Sequence, residues 1–315
     1  MEKIQKKSIL REWTEAILIA VTLAFVIRTV LFGLYTVPSG SAEPTILVGD
    51  KIWGNKMIYF FQKPKRGEFV IFDNPEVVID KSNSLQRFWQ KYIGISIPLF
   101  GLRAGPENVV KRVIAIPGDT VEGRVEDGNP VIYLNGKKLD EPYINPYPLI
   151  RVQRTKGFIN SDYFMHDLLG LRYMIDPNLH VCTYDPNKSF DEQPYYKLNQ
   201  DNVVRNSMTG WFMLIPPHTP TEKDTFGPMT IPQGKYWLMG DSRNNSRDSR
   251  WWGLLDESQI HGRASFVILS IDTSESFWIY DLIKHPINFW TKHIRWNRFL
   301  KGLGQYYGRP DLEKQ

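Results

Sequence analysis

Cysteine occurs once in these 315 residues, at Cys182, so the chain can close no intramolecular disulfide and build no thiolate metal centre. The six histidines, at 166, 180, 218, 261, 285 and 293, never fall in a close ligand spacing such as HxxxH. No metal and no cofactor is therefore expected. Basic residues are scattered along the chain and the net charge is only +5. A nucleic-acid footprint gathers its cations into a stripe, so no nucleic-acid partner is expected. Sustained helical periodicity is confined to one N-terminal stretch, which argues against an alternating α/β architecture. Aromatic residues are abundant instead (10 Trp, 15 Tyr, 17 Phe), enough for a sizeable packed core.

The one membrane-length apolar run covers residues 16–35 and is broken only by Thr22, Arg28, Thr29 and Gly33. As a helix it reaches ~30 Å, the thickness of a bilayer's hydrocarbon core. Lys3, Lys6, Lys7 and Arg11 precede it, and after Arg28 no Lys or Arg appears until Lys51. That asymmetry puts the N-terminus in the cytoplasm and the bulk of the chain outside. A cleavable signal peptide is the rival reading, since Gly40-x-Ala42 mimics a small-residue cleavage site. The run is longer than an ordinary signal core and carries an arginine, which favours an anchor.

Downstream the chain reads as β. Lys51-Ile52-Trp53, Phe69-Val70-Ile71-Phe72, residues 109–116, Val131-Ile132-Tyr133-Leu134, Tyr236-Trp237-Leu238-Met239 and Ser265-Phe266-Val267-Ile268-Leu269 are short apolar runs with turn signals between them. Asn135-Gly136 predicts a type I′ hairpin, and Pro117-Gly118-Asp119 a tight turn. The expected fold is mainly β: an antiparallel sheet core with an inserted second β subdomain, preceded by one N-terminal transmembrane helix. The boundaries are a cytoplasmic tail at 1–12, an anchor at 13–35, and a core at 36–121 and 234–272 interrupted by an insertion at 74–107. A non-catalytic insert occupies 122–233. A basic, aromatic tail at 273–315 either lies on the bilayer or packs on the core.

Ser41 follows the apolar run by six residues, so it works within ~20 Å of the membrane surface. A serine nucleophile needs a proton acceptor, and no histidine here sits in a serine-protease pattern. Lysine serves if it is neutral. At an ordinary pKa of ~10.4, about one lysine in 2,500 is neutral at pH 7, a handicap of roughly 4.6 kcal/mol. A catalytic lysine must therefore be dry. Lys111, in Val109-Val110-Lys111-Arg112-Val113-Ile114, lies inside an apolar strand, although that segment alone favours a lysine on a solvated edge. Residues 240–250, Gly240-Asp241-Ser242-Arg243-Asn244-Asn245-Ser246-Arg247-Asp248-Ser249-Arg250, hold no apolar side chain and lie between a strand and Trp251-Trp252-Gly253. Two aspartates and no bidentate glutamate rule against a calcium loop. A buried network able to orient a neighbouring amine remains.

In order along the chain, Pro38-Ser39-Gly40-Ser41-x-x-Pro44-Thr45, Gly49-Asp50, Arg66-Gly67-Glu68-Phe69-Val70-Ile71-Phe72, Lys111-Arg112-Val113-Ile114-Ala115-Ile116-Pro117-Gly118-Asp119 and the loop from Gly240 to Arg250 resemble bacterial type I signal peptidase, a membrane-anchored Ser/Lys serine endopeptidase. The resemblance implies Ser41 as nucleophile and Lys111 as general base. It implies an oxyanion hole from the Ser39 hydroxyl and the Ser41 backbone N–H. Ser246 would fix the Lys111 amine by a hydrogen bond, while Asp241, Arg243, Asp248, Arg250 and Arg112 would form the supporting ion pairs, Arg112 with Asp241. Substrates would be signal-peptide-bearing preproteins, cut through an acyl-enzyme at the outer face of the bacterial cytoplasmic membrane. A processing peptidase of the same family with a narrow client set is the alternative. Four positions depart from the family pattern: Ala42 stands where Met is usual, Ser242 for Asn, Asn244 for Asp, and Val109 for an aromatic. Ala42 is expected to remove a side chain from the cleft wall.

Overall fold

The computed structural model describes residues 9–77, 84–92, 106–153, 179–184, 187, 214, 215, 217–272 and 278–304. Its centre is a seven-stranded sheet in which every pairing is antiparallel. The strands are β1 (Phe32–Thr36), β2 (Asp50–Asn55), β3 (Phe69–Asp73), β4 (Asn108–Ala115), β12 (Lys235–Met239), β13 (Leu255–Asp256) and β14 (Ile260–Ser270), in the order β1-β2-β14-β3-β4-β12-β13. Two smaller sheets come from the residues between β4 and β12. One pairs β11 (Phe226–Thr230), β5 (Thr120–Glu126), β6 (Asn129–Leu134) and β7 (Lys137–Lys138); the other pairs β10 (Leu214–Ile215), β8 (Leu149–Gln153) and β9 (Leu179–Thr183).

Each apolar run expected to form a strand does so, for reasons visible side chain by side chain. In β3 all of Phe69, Val70, Ile71 and Phe72 are buried, because the strand is covered on both faces. Alternation sends Phe69 and Ile71 to a core shared with Ile46, Ile52 and Val267, and Val70 and Phe72 to another with Val113, Leu238 and Leu255. Each such side chain contributes roughly 1.5–3 kcal/mol by leaving water. Asn135 (φ 53°) and Gly136 (φ 78°) both take the left-handed conformation that a two-residue hairpin between β6 and β7 requires.

The N-terminal expectation needs correction. The helix α1 runs Ile9–Val26, widens into a π-helical turn at Ile27–Leu31, and gives way to strand at Phe32. Among the described residues no helix is long and apolar enough to cross a membrane. Pairing explains the shortfall. Phe32–Thr36, the end of the apolar run, hydrogen-bonds to β2 with Phe32 opposite Asn55 and Tyr35 opposite Ile52. At the other end, Arg11, Glu12, Thr14 and Glu15 occupy the first turns of α1, with Arg11 and Glu15 paired at 2.9 Å. Trp13, Ile17, Leu18, Ile19, Val21 and Leu23 are nonetheless exposed along it.

The C-terminal segment packs on the core. Leu303 is buried in the first cluster, Gly302 bridges Phe266, and Arg298 holds the buried Asp50 through both carboxylate oxygens at 3.0 and 2.5 Å. In the 74–107 insertion, Phe88 is exposed on a helix Ser84–Tyr92. Residues 93–105 of that insertion, like 154–178 and 188–213, lie outside the described residues.

Candidate active site

Ser41 sits in a single 3-10 turn, Gly40–Ala42, that interrupts the connection from β1 to β2. The turn is closed by the Glu43 N–H donating to the Gly40 carbonyl at 3.1 Å. It is tied to the distant loop by the Ser242 N–H, which donates to the Ser41 carbonyl at 3.1 Å. Close approach of the two segments needs Gly240: a Cβ there would lie 2.3 Å from Ser246 Oγ and 2.4 Å from the Ser41 carbonyl oxygen.

Lys111 extends from β4, and its Nζ lies 2.5 Å from Ser41 Oγ. The side chain is 3 % exposed. Burial pushes its pKa down from 10.5 to about 8; the Asp248 and Asp241 carboxylates oppose the shift and the Arg250 guanidinium reinforces it. About one amine in ten is then neutral at pH 7. Both groups open onto a cleft of about 470 Å³ whose wall includes Ser39, Val109, Ser246 and Trp251.

Next along the same strand, Arg112 points the other way and is fully buried. Its Nε and Nη2 donate to Asp241 at 2.8 and 2.6 Å, Nη1 donates to the Gly67 carbonyl at 2.8 Å, and its plane lies between the rings of Phe69 and Tyr143 at 4.2 and 4.0 Å. The expected Arg112–Asp241 pair is thus present. Thr45, four residues after the nucleophile, donates to Asp241 at 2.6 Å and links that pair to the Ser41 loop.

Asp248 and Arg250 also come together, at 2.8 and 2.9 Å, and Asp248 caps the short helix Ser249–Trp252 by accepting from the Arg250 N–H. Burial pushes the Asp248 carboxyl up, but the Arg250 guanidinium, helped by Ser246 and Lys111, holds the group below the usual range. Arg243 donates to the Gly240 carbonyl at 3.1 Å and pairs with Glu141, while Arg250 reaches Asp224 at 2.6 Å. Glu141, Asp224, Thr45, Tyr143 and Gly240 are structural members of the site that no role was read for in the sequence. Thr45 and Gly240 stand inside the motif blocks, which is the one signal that pointed to them.

Two expectations change. Ser246 Oγ is buried within electrostatic reach of Asp248, but it makes no hydrogen bond of ordinary geometry, so the bond expected to Lys111 does not form. Ala42 is not on the cleft wall: it is 2 % exposed in the core cluster with Val37, Ile46 and Phe69. No group of three or more His, Cys, Asp or Glu among the described residues could hold a metal.

The sequence model of "Signal peptidase, peptidase S26" matches residues 10–269. A signal peptidase I of Bacillus amyloliquefaciens is 28% identical over 84% of this chain and 91% of its own length. One from Aquifex aeolicus is 28% identical over 82% and 83%. A solved structure of a signal peptidase I from Enterococcus faecalis aligns at 19% identity over 64% of this chain and 97% of that one, with a TM-score of 0.26. With the family's sequence model spanning most of its length, the chain belongs to the signal peptidase family, peptidase S26.

Proposed function

We propose that this peptidase cleaves signal peptides from exported preproteins with Ser41 as nucleophile and neutral Lys111 as general base. One observation carries the reading: a buried amine whose pKa is lowered to about 8 lies 2.5 Å from the Ser41 hydroxyl. Ser41 Oγ attacks the scissile carbonyl carbon as its proton passes to Lys111 Nζ. The oxyanion is met by the Ser39 hydroxyl and the Ser41 N–H, donors aimed at charge as it develops. Collapse of the tetrahedral intermediate expels the amine of the mature chain, which takes the proton from Lys111, and leaves an acyl-Ser41. Water then attacks with Lys111 again accepting the proton, releasing the signal peptide.

Asp241, Arg243, Asp248, Arg250 and Arg112 hold the Gly240–Arg250 loop against the nucleophile turn and take no part in bond making. Ser246 closes the dry wall beside the amine. We place the protein at the cytoplasmic membrane, with the sheet on the outer side; the exposed apolar face of α1 and the short path from it to Ser41 support this. Residues 122–233 are then a non-catalytic insert. Incubation of the purified chain with a preprotein in detergent micelles tests the chemistry. Cleavage after an Ala-x-Ala sequence, lost in both Ser41→Ala and Lys111→Ala and indifferent to chelators, is the expected result. Retained cleavage in Lys111→Ala refutes the base.

A further inference from the structure

Two residues past the nucleophile, Glu43 is completely buried. Its Oε2 accepts from the Thr183 hydroxyl of β9, and its Oε1 has no hydrogen-bond partner. The carboxyl is packed against the backbone of the nucleophile turn, 3.0 Å from where a Cβ on Gly40 would stand. Thr183 Oγ1 in turn accepts from Asn145 Nδ2 at 2.9 Å, the same amide donates to Ser242 Oγ at 3.3 Å, and the Ser242 N–H donates to the Ser41 carbonyl at 3.1 Å. A ring of contacts therefore starts on the nucleophile turn, passes through two residues of the inserted region, and returns to Ser41. No step of the cleavage mechanism uses it.

We propose that Glu43 is a positioning residue for Ser41: as a neutral carboxylic acid it seats the nucleophile turn on Thr183 of the inserted sheet, and its ionisation loosens that seat. This rests on the reading of Ser41 as the nucleophile. A carboxylate fully removed from water is costly, whereas the neutral acid carries no charge to desolvate. The charged group that faces it is Arg295 of the C-terminal segment, which is committed to the Val48 carbonyl, Ser270 Oγ and Asp272. From β9 it meets the hydroxyl and backbone of Thr183, and from the loop beyond its own turn the backbone of Val48. Burial lifts the Glu43 pKa from 4.5 to about 7, against the opposing pull of Thr183 and Arg295, so the switch falls within the working pH range.

The test is the pH dependence of kcat for wild type, Glu43→Gln and Ser41→Ala on one preprotein between pH 5.5 and 9. Glu43→Gln keeps the neutral shape at every pH, so its kcat divided by that of wild type should rise at least about threefold across pH 7 with KM unchanged. Thr183→Val, which removes the hydroxyl that forms the seat, should lower kcat about tenfold below pH 7, where wild-type Glu43 is neutral. A merely structural role gives a constant Glu43→Gln ratio. A flat or falling ratio, with Ser41→Ala inactive, overturns the inference and leaves the nucleophile assignment standing. Activity in Ser41→Ala overturns the assignment on which it rests.

Discussion

Lys111 and Arg112 are neighbours on one strand, both buried, and the two faces of β4 treat a buried cation in opposite ways. On the Arg112 face the charge is saturated: a bidentate carboxylate, a backbone carbonyl and two aromatic planes surround it. On the Lys111 face the amine has a hydroxyl at 2.5 Å and carboxylates that act on it only through space. The saturated side pins the loop that carries Asp241; the unsaturated side keeps a base that can shed its proton. Catalysis by lysine needs that contrast, because an ion pair on Nζ would restore its charge.

Removing the reactive pair should have the largest effect. Ser41→Ala and Lys111→Ala are each expected to cut kcat by at least about 10⁴-fold, measured by single-turnover cleavage, since nucleophile and base act as a unit. Cutting the saturated side should instead cost stability. Arg112→Met leaves Asp241 buried without its partner and should lower unfolding free energy by about 3–5 kcal/mol, read from urea melts. If the melt is unchanged, the two faces do not differ as described.

Lys111 itself should be a liability to folding, which sharpens the contrast. Its folded pKa lies below the unfolded one, so below pH 8 burying the charged amine costs about 3 kcal/mol, and this cost fades as pH rises toward 10.5. Lys111→Met should accordingly be inactive yet more stable by about that amount at pH 7, with the gain gone near pH 10.5. Equal melts of the two proteins at pH 7 would remove the desolvation argument. The smallest effect expected is on rate. Between pH 7 and 9, kcat/KM of Glu43→Gln, in which residue 43 does not titrate, should climb about tenfold as the amine loses its proton, and a profile level across that interval contradicts a base with this pKa.

The parts of the molecule that could be read from sequence were those in which local pattern and final environment agree. Residues 109–116 and 236–239 are apolar runs bounded by turns, and they became β4 and β12. The Arg112–Asp241 pair, 129 residues apart, was legible only because both ends fall in motif blocks. β1 was not legible: Phe32, Leu34 and Tyr35 continue the apolar run, and only pairing with β2 tells strand from helix there. Glu141, Asp224 and Thr183 were invisible for a different reason. Each meets its arginine or glutamate partner through tertiary packing, Glu141 from 102 residues away and Thr183 from 140, with no local periodicity to mark it. Ser246 misled because a motif names a residue and its neighbourhood but not the direction of a hydroxyl.

The central claim concerns a proton, and it can be watched directly. In ¹⁵N-lysine-labelled wild-type protein, the Lys111 Nζ resonance, assigned by its loss in Lys111→Met, should titrate with a midpoint of about 8. A midpoint above 10, the value of a solvated lysine, would contradict a neutral amine beside Ser41 and with it the whole account.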